Sequence, residues 1–272
     1  MYKCFFSGMM ALFVVGCASN AHNSTAEAPA ESDSLTQITD TIPMEEPLDT
    51  VAVEYLLGKF DPAKAEDFVR IEDAYSGGNA RGTYLHQEAY EAFKKMHAAA
   101  KADGVTLTIL SSTRNFWRQK SIWEAKWTGS RLVGGKNLAK TVANPQDRAL
   151  VILKYSSMPG TSRHHWGTDI DINNFENSYF ESGRGLKEYQ WLVAHGPEFG
   201  FCQPYSAKGT ARPFGYEMEK WHWSYMPLAK RYLNSYQALV NHDMIEGFKG
   251  SEAASGIDVI TKYVMGISPD CK

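Results

Sequence analysis

The sequence is short of several things, and each shortage excludes a class of function. No apolar run is long enough to cross a bilayer as a helix. There is no basic excess: 28 Lys and Arg stand against 31 Asp and Glu, a net charge of −3. Phosphate backbones are held by clustered cations, so no nucleic-acid partner is expected. No Ser or Cys sits in a nucleophile motif, which argues against acyl-enzyme chemistry. No internal repeat is visible. Cysteine is scarce, with four in 272 residues. What remains is an ordinary globular composition, 43% hydrophobic and 22% charged, enriched in aromatic residues: seven Trp, 14 Tyr and 13 Phe.

The N-terminus reads as a delivery signal. Lys3 supplies a positive charge, residues 5–15 are apolar, and Val14-Val15-Gly16-Cys17 is followed by Ala18-Ser19-Asn20. Length and flanks fit an export signal rather than a spanning helix. A small residue immediately before cysteine resembles the bacterial lipobox, although Val14 stands where Leu is usual. The expectation is a signal peptide over 1–16, with Cys17 acylated and thereby held to a lipid bilayer. Residues 17–50 are rich in Ser, Thr, Ala, Glu, Asp and Pro and lack aromatics, which predicts a disordered tether. Cys4 would leave with the signal. Cys202 and Cys271 then remain, and in an oxidising envelope compartment they could pair and staple a C-terminal tail, 246–272, to a domain over 51–245.

Within that domain the patterns mix helices and short strands without regular βαβ alternation, so the fold class is α+β. Helices are predicted over 61–69, 86–103 (Ala89, Phe93, Met96 and Ala100 at helical spacing), 116–127, 144–155, 186–194 and 227–240. Strands are predicted over 105–110 and 168–172. The second carries Asp169 and Asp171 on one face, because side chains alternate along a strand.

Chemistry concentrates in Ser162-Arg163-His164-His165-Trp166-Gly167-Thr168-Asp169-Ile170-Asp171 and, some fifty residues on, in Glu219-Lys220-Trp221-His222. His164 and Asp171, from a loop and a strand seven residues apart, can converge on one ion. His222 completes two imidazoles and a hard oxygen, a set that leaves a fourth position for water. Glu219 is then free to act as a general base on that water. The competing reading is a histidine pair and acidic strand residues that hydrogen-bond in a packed core. His86, His97, His195 and His242 have no motif around them.

These segments resemble the VanY-type D-alanyl-D-alanine carboxypeptidases, a zinc peptidase group that shares its fold with the Hedgehog signalling domain. The family pattern Ser-x-His-x6-Asp, then Glu-x-x-His, is met by Ser162, His164, Asp171, Glu219 and His222. Ser111 through Arg114, followed by Gln119, is similar to its Ser-x-x-Arg-x4-Gln segment, and the likeness covers roughly 84–240. The resemblance implies a small antiparallel sheet flanked by helices, with a zinc site in a cleft on the sheet. It also implies one Zn2+ per chain on His164, Asp171 and His222, Glu219 as base, and Arg114 facing the oxyanion. Ser162, Gln119 and Trp221 become candidate contacts to the substrate. The implied activity is removal of terminal D-alanine from peptidoglycan stem peptides, in the bacterial envelope facing the periplasm or cell wall.

Two features depart from the family pattern or blur it. Asp169 stands where the family more often has Ala, and is expected either to orient a ligand histidine from behind or to replace a ligand. His165 adjoins His164, which alone keeps the seven-residue spacing. Because related murein endopeptidases carry an acid at the Asp169 position, L,D-carboxypeptidase or endopeptidase action on the same polymer is the alternative. A non-catalytic, zinc-containing cell-wall-binding module is the alternative from another class, and it would need neither Glu219 nor Arg114.

Overall fold

Alternation along a few short strands divides this molecule into a dry side and a reactive side. The computed structural model describes residues 51–272; the signal expected at 1–16, Cys17 and the tether through residue 50 lie outside the described residues. In chain order the first elements are α1 (Val53–Leu56), β1 (Phe68–Arg70), β2 (Tyr84–His86), α2 (Gln87–Ala102), β3 (Ile109–Ser111) and α3 (Phe116–Trp127). Then follow α4 (Leu138–Thr141), α5 (Pro145–Ile152), β4 (Asp169–Ile172), α6 (Gly183–His195), β5 (Phe201–Cys202), β6 (His222–Tyr225), α7 (Met226–Leu239) and α8 (Ala253–Ile257). β1 and β2 form an antiparallel pair, and the other four strands make an antiparallel sheet in the order β3-β4-β6-β5. This is the expected α+β class.

In the four-stranded sheet Ile109, Ile170, Ile172, Phe201 and Trp223 are buried together with Phe93, Met96 and Ala100 of α2 and Trp191 and Leu192 of α6. Each such aliphatic side chain contributes about 1.5–3 kcal/mol on leaving water. The intervening residues belong to the other face. There Asp169 pairs with Ser224, and Asp171 lies between Ser111 and His222 on the two flanking strands. Slipping the register by one residue would bury the carboxylates among isoleucines, so the apolar residues hold the polar ones in place.

Capping sets the helices. The His86 ring accepts from the Glu88 amide at the start of α2, Asn115 accepts from the Arg118 amide at the start of α3, and Asn144 caps α5 ahead of Pro145. The buried face of α3 is Phe116, Gln119, Trp123 and Trp127. A glutamine therefore sits on an otherwise apolar stripe.

Three expectations change. Residues 61–69 form no helix: Asp61 closes a turn by accepting from the Ala63 amide, and between 63 and 67 two alanines among charged residues offer too little apolar surface to bury. The strand expected over 105–110 is confined to β3, because the Asn173 side chain takes the Thr108 amide at 2.7 Å and interrupts the ladder. The segment 246–272, expected as a tail stapled on by a disulfide, also packs into the core. Ala253, Ala254, Ile257, Ile260 and Val264 join the second core cluster with Trp123, Leu153, Trp166 and Tyr236, and Cys271 is bonded to Cys202 with Cα atoms 5.8 Å apart.

Candidate metal centre

His164 lies on a short 3-10 turn, Arg163–Trp166, that Gly167 closes at φ +71°. A Cβ on Gly167 would stand 2.4 Å from the Phe68 ring, so glycine is needed both for the backbone and for the space. The turn hangs His164 over β4, and β6 sets His222 directly opposite Asp171. One ligand atom from each residue can be chosen so that all three lie within 4.8 Å of one another. His164 Nε2 is 3.3 Å from Asp171 Oδ2, and His222 Nδ1 is 3.1 Å from Asp171 Oδ1.

The outward nitrogens fix which atoms point inward. His164 Nδ1 is 2.8 Å from the Ser112 carbonyl, which only accepts, so that nitrogen carries the proton and Nε2 is left bare. His222 Nε2 likewise donates to Asp169 Oδ1 at 2.9 Å, leaving Nδ1 toward the site. His164 Nε2 and Asp171 Oδ1 are buried without an aligned hydrogen bond among the described residues, although His222 Nδ1 stands 3.1 Å from the latter. Each such orphan costs about 1–3 kcal/mol, and a cation between them would satisfy both. Burial, reinforced by Arg114, holds the His164 ring below its usual pKa and hence neutral. Asp171 stays ionised against its burial because His164 and His222 face it. Against its burial, the Asp169 and Asp171 carboxylates hold the His222 ring up at about 9, so a cation bound here would displace the Nδ1 proton; with that proton gone, two imidazoles and an ionised carboxylate are a donor set that fits zinc.

Asp169 lies behind this set, away from the cleft lining. Besides His222 it accepts from Arg163 Nε at 3.1 Å, Thr168 Oγ1 at 2.6 Å and Ser224 Oγ at 3.0 Å. Burial would raise its pKa, but the Arg163 charge and the His222 hydrogen bond keep it well below the carboxylate range. The arrangement orients His222, and where a histidine holds a metal, a carboxylate behind it is worth about 10- to 100-fold in metal affinity. Asp169→Asn is expected to weaken zinc binding by about 10–100-fold in a chelator competition while leaving the far-ultraviolet spectrum unchanged.

Glu219 is 6% exposed, with Oε2 3.5 Å from His222 Nδ1. Burial, reinforced by the Asp171 charge, pushes its carboxyl up to about 8, although His222, Arg114 and Lys126 pull the other way. Arg114 follows β3, and its Nη1 reaches Ser111 Oγ at 2.7 Å and Asp171 Oδ2 at 3.4 Å. Its Nε donates to Gln119 Oε1 at 3.1 Å, and Gln119 Nε2 donates to the Ser157 carbonyl at 2.8 Å. These groups line one cleft of about 800 Å³ with His164, Asp171, His222 and Trp221.

Ser162 is placed differently. It begins the His164 turn, is buried, and is absent from the cleft lining. Trp223 belongs to the core, whereas Trp221 stands between Tyr155 and Phe175, each ring 6.4 Å away. His165 is fully buried. It takes the Gly160 amide on Nε2 and donates from Nδ1 to the Arg114 carbonyl, and burial holds it down at about 3. The sequence reasoning missed Lys126, Tyr205 and Tyr216, which also line the cleft. No motif marks them; Tyr205, 4.6 Å from the His222 ring, is brought there by the loop between β5 and β6.

Comparison with known proteins bears on the whole segment. YodJ of Bacillus subtilis (strain 168), which carries a carboxypeptidase designation, is 28% identical over 145 residues, 53% of this chain and 46% of that protein. A D-alanyl-D-alanine carboxypeptidase of Enterococcus faecalis (strain ATCC 700802 / V583) is 30% identical over 128 residues, 47% of this chain and 43% of its own length. The match therefore spans under half the length of these two relatives. Among solved structures, VanYB in complex with D-alanine-D-alanine is similar at 23% identity and a TM-score of 0.45, covering 65% of this chain and 87% of that one. The family model for VanY, D-alanyl-D-alanine carboxypeptidase, matches residues 82–228, just over half of the sequence and including Arg114, His164, Asp171, Glu219 and His222. The chain belongs to the VanY D-alanyl-D-alanine carboxypeptidase family.

Proposed function

We propose that this protein is a zinc-dependent D,D-carboxypeptidase that removes terminal D-alanine from peptidoglycan stem peptides. The observation that carries the reading is the pair of orphaned buried ligand atoms, His164 Nε2 and Asp171 Oδ1, beside a buried carboxylate poised near neutrality. One zinc ion per chain would be held by His164 Nε2, Asp171 and His222 Nδ1. When bound it supplies a Lewis acid for the scissile carbonyl and acidifies water.

The protein's own residues do the remaining work. Glu219 takes the proton of the attacking water and returns it to the departing amine, which suits a carboxyl whose pKa lies close to the working pH. Arg114 meets the negative charge that grows on the carbonyl oxygen, while Ser111 and Gln119 hold its guanidinium in the cleft. Trp221, walled by Tyr155 and Phe175, excludes water from one side of the peptide. We place the peptidase domain at residues 51–272 and propose that Cys17 tethers it to a membrane through the segment ahead of residue 51. The bond between Cys202 and Cys271 supports an oxidising compartment outside the cytoplasm.

The test is digestion of purified sacculi with analysis of the released muropeptides. Conversion of pentapeptides to tetrapeptides is expected, lost on chelation and restored by Zn2+. Tetrapeptide-to-tripeptide conversion or loss of cross-links would replace the reading with an L,D-carboxypeptidase or an endopeptidase. Absence of any cleavage by zinc-loaded protein would leave a binding module.

A further inference from the structure

α3 sends Gln119, Ile122 and Lys126 into the cleft from one helical face, at spacings of three and four residues. Gln119 is committed to Arg114 and Ser157, but Lys126 has no comparable partner. Its ammonium is half-buried, its hydrogen bond goes to the Ser156 hydroxyl, and among the described residues it makes no salt bridge. Of the charges around it, Arg131 and Arg114 repel it and Glu219 attracts it. Burial, with those two cations adding to it, pushes the group down to about 8, so it remains an ammonium at neutral pH. A cation in such a place is poorly repaid by the protein itself, because a neutral hydroxyl offsets little of what removal from water costs. An anionic ligand would complete it.

The position says which anion. Asp171 touches Arg114, Arg114 touches Gln119, Gln119 touches the Ser157 carbonyl, and Ser156, on which Lys126 rests, is the neighbouring residue. Lys126 lines the same cavity as the metal ligands and stands near enough to feel the charges of both Arg114 and Glu219, which puts it within reach of a peptide held at that site. We propose that Lys126, with the Ser156 hydroxyl, anchors the free terminal carboxylate of the peptide substrate and thereby makes the cleft exo-acting. This rests on the reading of the cleft as a peptide-hydrolysing site and adds a determinant of which bond is presented. A chain that continued past this point would offer a neutral amide to a partly dry ammonium, and a polar group left unmatched in a binding site discriminates strongly.

Binding, rather than turnover, tests the assignment. Zinc-loaded Glu219→Gln protein is titrated calorimetrically with diacetyl-L-lysyl-D-alanyl-D-alanine and with its C-terminal amide. The acid is expected to bind about 10–100-fold more tightly than the amide, the range of a hydrogen bond to a charged group. Adding Lys126→Met should bring the acid down to the affinity of the amide and leave the amide within about threefold, while Lys126→Arg restores part of the preference. The same Lys126→Met change should hold or raise the unfolding midpoint, since it removes an unpaired charge from a partly dry site. Equal weakening of acid and amide, no weakening of either, or a fallen midpoint accompanied by general loss of binding would overturn the proposal. So would Lys126-dependent binding of a peptide whose sole carboxylate is on a side chain. If the unsubstituted enzyme cleaves no peptide, the hydrolase reading fails, and the acid–amide comparison still decides the role of Lys126.

Discussion

Glu219→Gln is expected to lower kcat on a peptide ending in D-alanyl-D-alanine by about 10²–10⁴-fold, the usual share of a positioned general base. The substitution keeps the shape and removes the proton acceptor. Its specificity comes from the way Glu219 is held. The backbone fixes the residue on both sides: its amide donates to the Tyr205 carbonyl at 2.9 Å and its carbonyl accepts from Gln203 at 3.0 Å. The side chain is therefore not what keeps the loop in place, and an isosteric amide should leave the fold intact. Burial already pushes this carboxyl up to about 8, so the fold does not depend on its charge either. Zinc content, measured by elemental analysis after dialysis, should remain near one per chain, because the proposed ligands His164, Asp171 and His222 are unchanged. Retained hydrolysis in a zinc-replete Glu219→Gln preparation would reject Glu219 as the base. Loss of zinc together with activity would instead show that it supports the ligands.

How much of this was legible in the sequence varies residue by residue. Asp169 and Asp171 could be placed on one strand face because Ile170 and Ile172 alternate with them, and alternation has only one reading once the apolar residues go inward. The choice of ligand nitrogen could not be read, since it depends on the Ser112 carbonyl and on Asp169, partners 52 and 53 residues away in sequence. Asp169 itself was ambiguous for the same reason: Arg163 and Thr168 lie close by in sequence, but Ser224 and His222, 55 and 53 residues away, reach it only in the folded chain. Lys126 was invisible. A lysine on an amphipathic helix ordinarily reads as solvated, and its burial comes from the non-local approach of Ser156. In the C-terminal segment the apolar spacing of Ala253, Ile257, Ile260 and Val264 was present but interrupted by Gly256 and by Asp258, which adopts a left-handed conformation at φ +58°. Helical periodicity fails as a signal where the helix itself is broken.

That segment underlies the other large expected effect. Replacing Cys202 and Cys271 together by Ser should cost about 3–5 kcal/mol of stability, because the bond closes a loop spanning 69 positions of sequence and so removes much freedom from the unfolded chain. For a domain of this size that is a fall of roughly 10 °C in Tm. The consequence should extend past stability, since the last residues brace the loop that carries Glu219. The Ser268 amide donates to the Pro204 carbonyl at 2.7 Å, Arg212 reaches the Gly266 carbonyl at 3.4 Å, and the Tyr263 ring packs on Tyr216 at 5.3 Å. Tyr216 in turn contacts Tyr205 at 4.9 Å, and Tyr205 contacts the His222 ring at 4.6 Å. A freed C-terminus loosens one end of that ladder while His164 and Asp171, on other elements, keep their places, and His222 is held independently by the pairing of β6 with β4. The double variant should therefore retain zinc at ambient temperature but lose kcat/KM well below its unfolding midpoint. Denaturant curves with and without reductant check the stability part in the unsubstituted protein. Superimposable curves would show that the bond contributes nothing, and parallel loss of zinc and activity would show that the brace acts on the ligands rather than on the Glu219 loop.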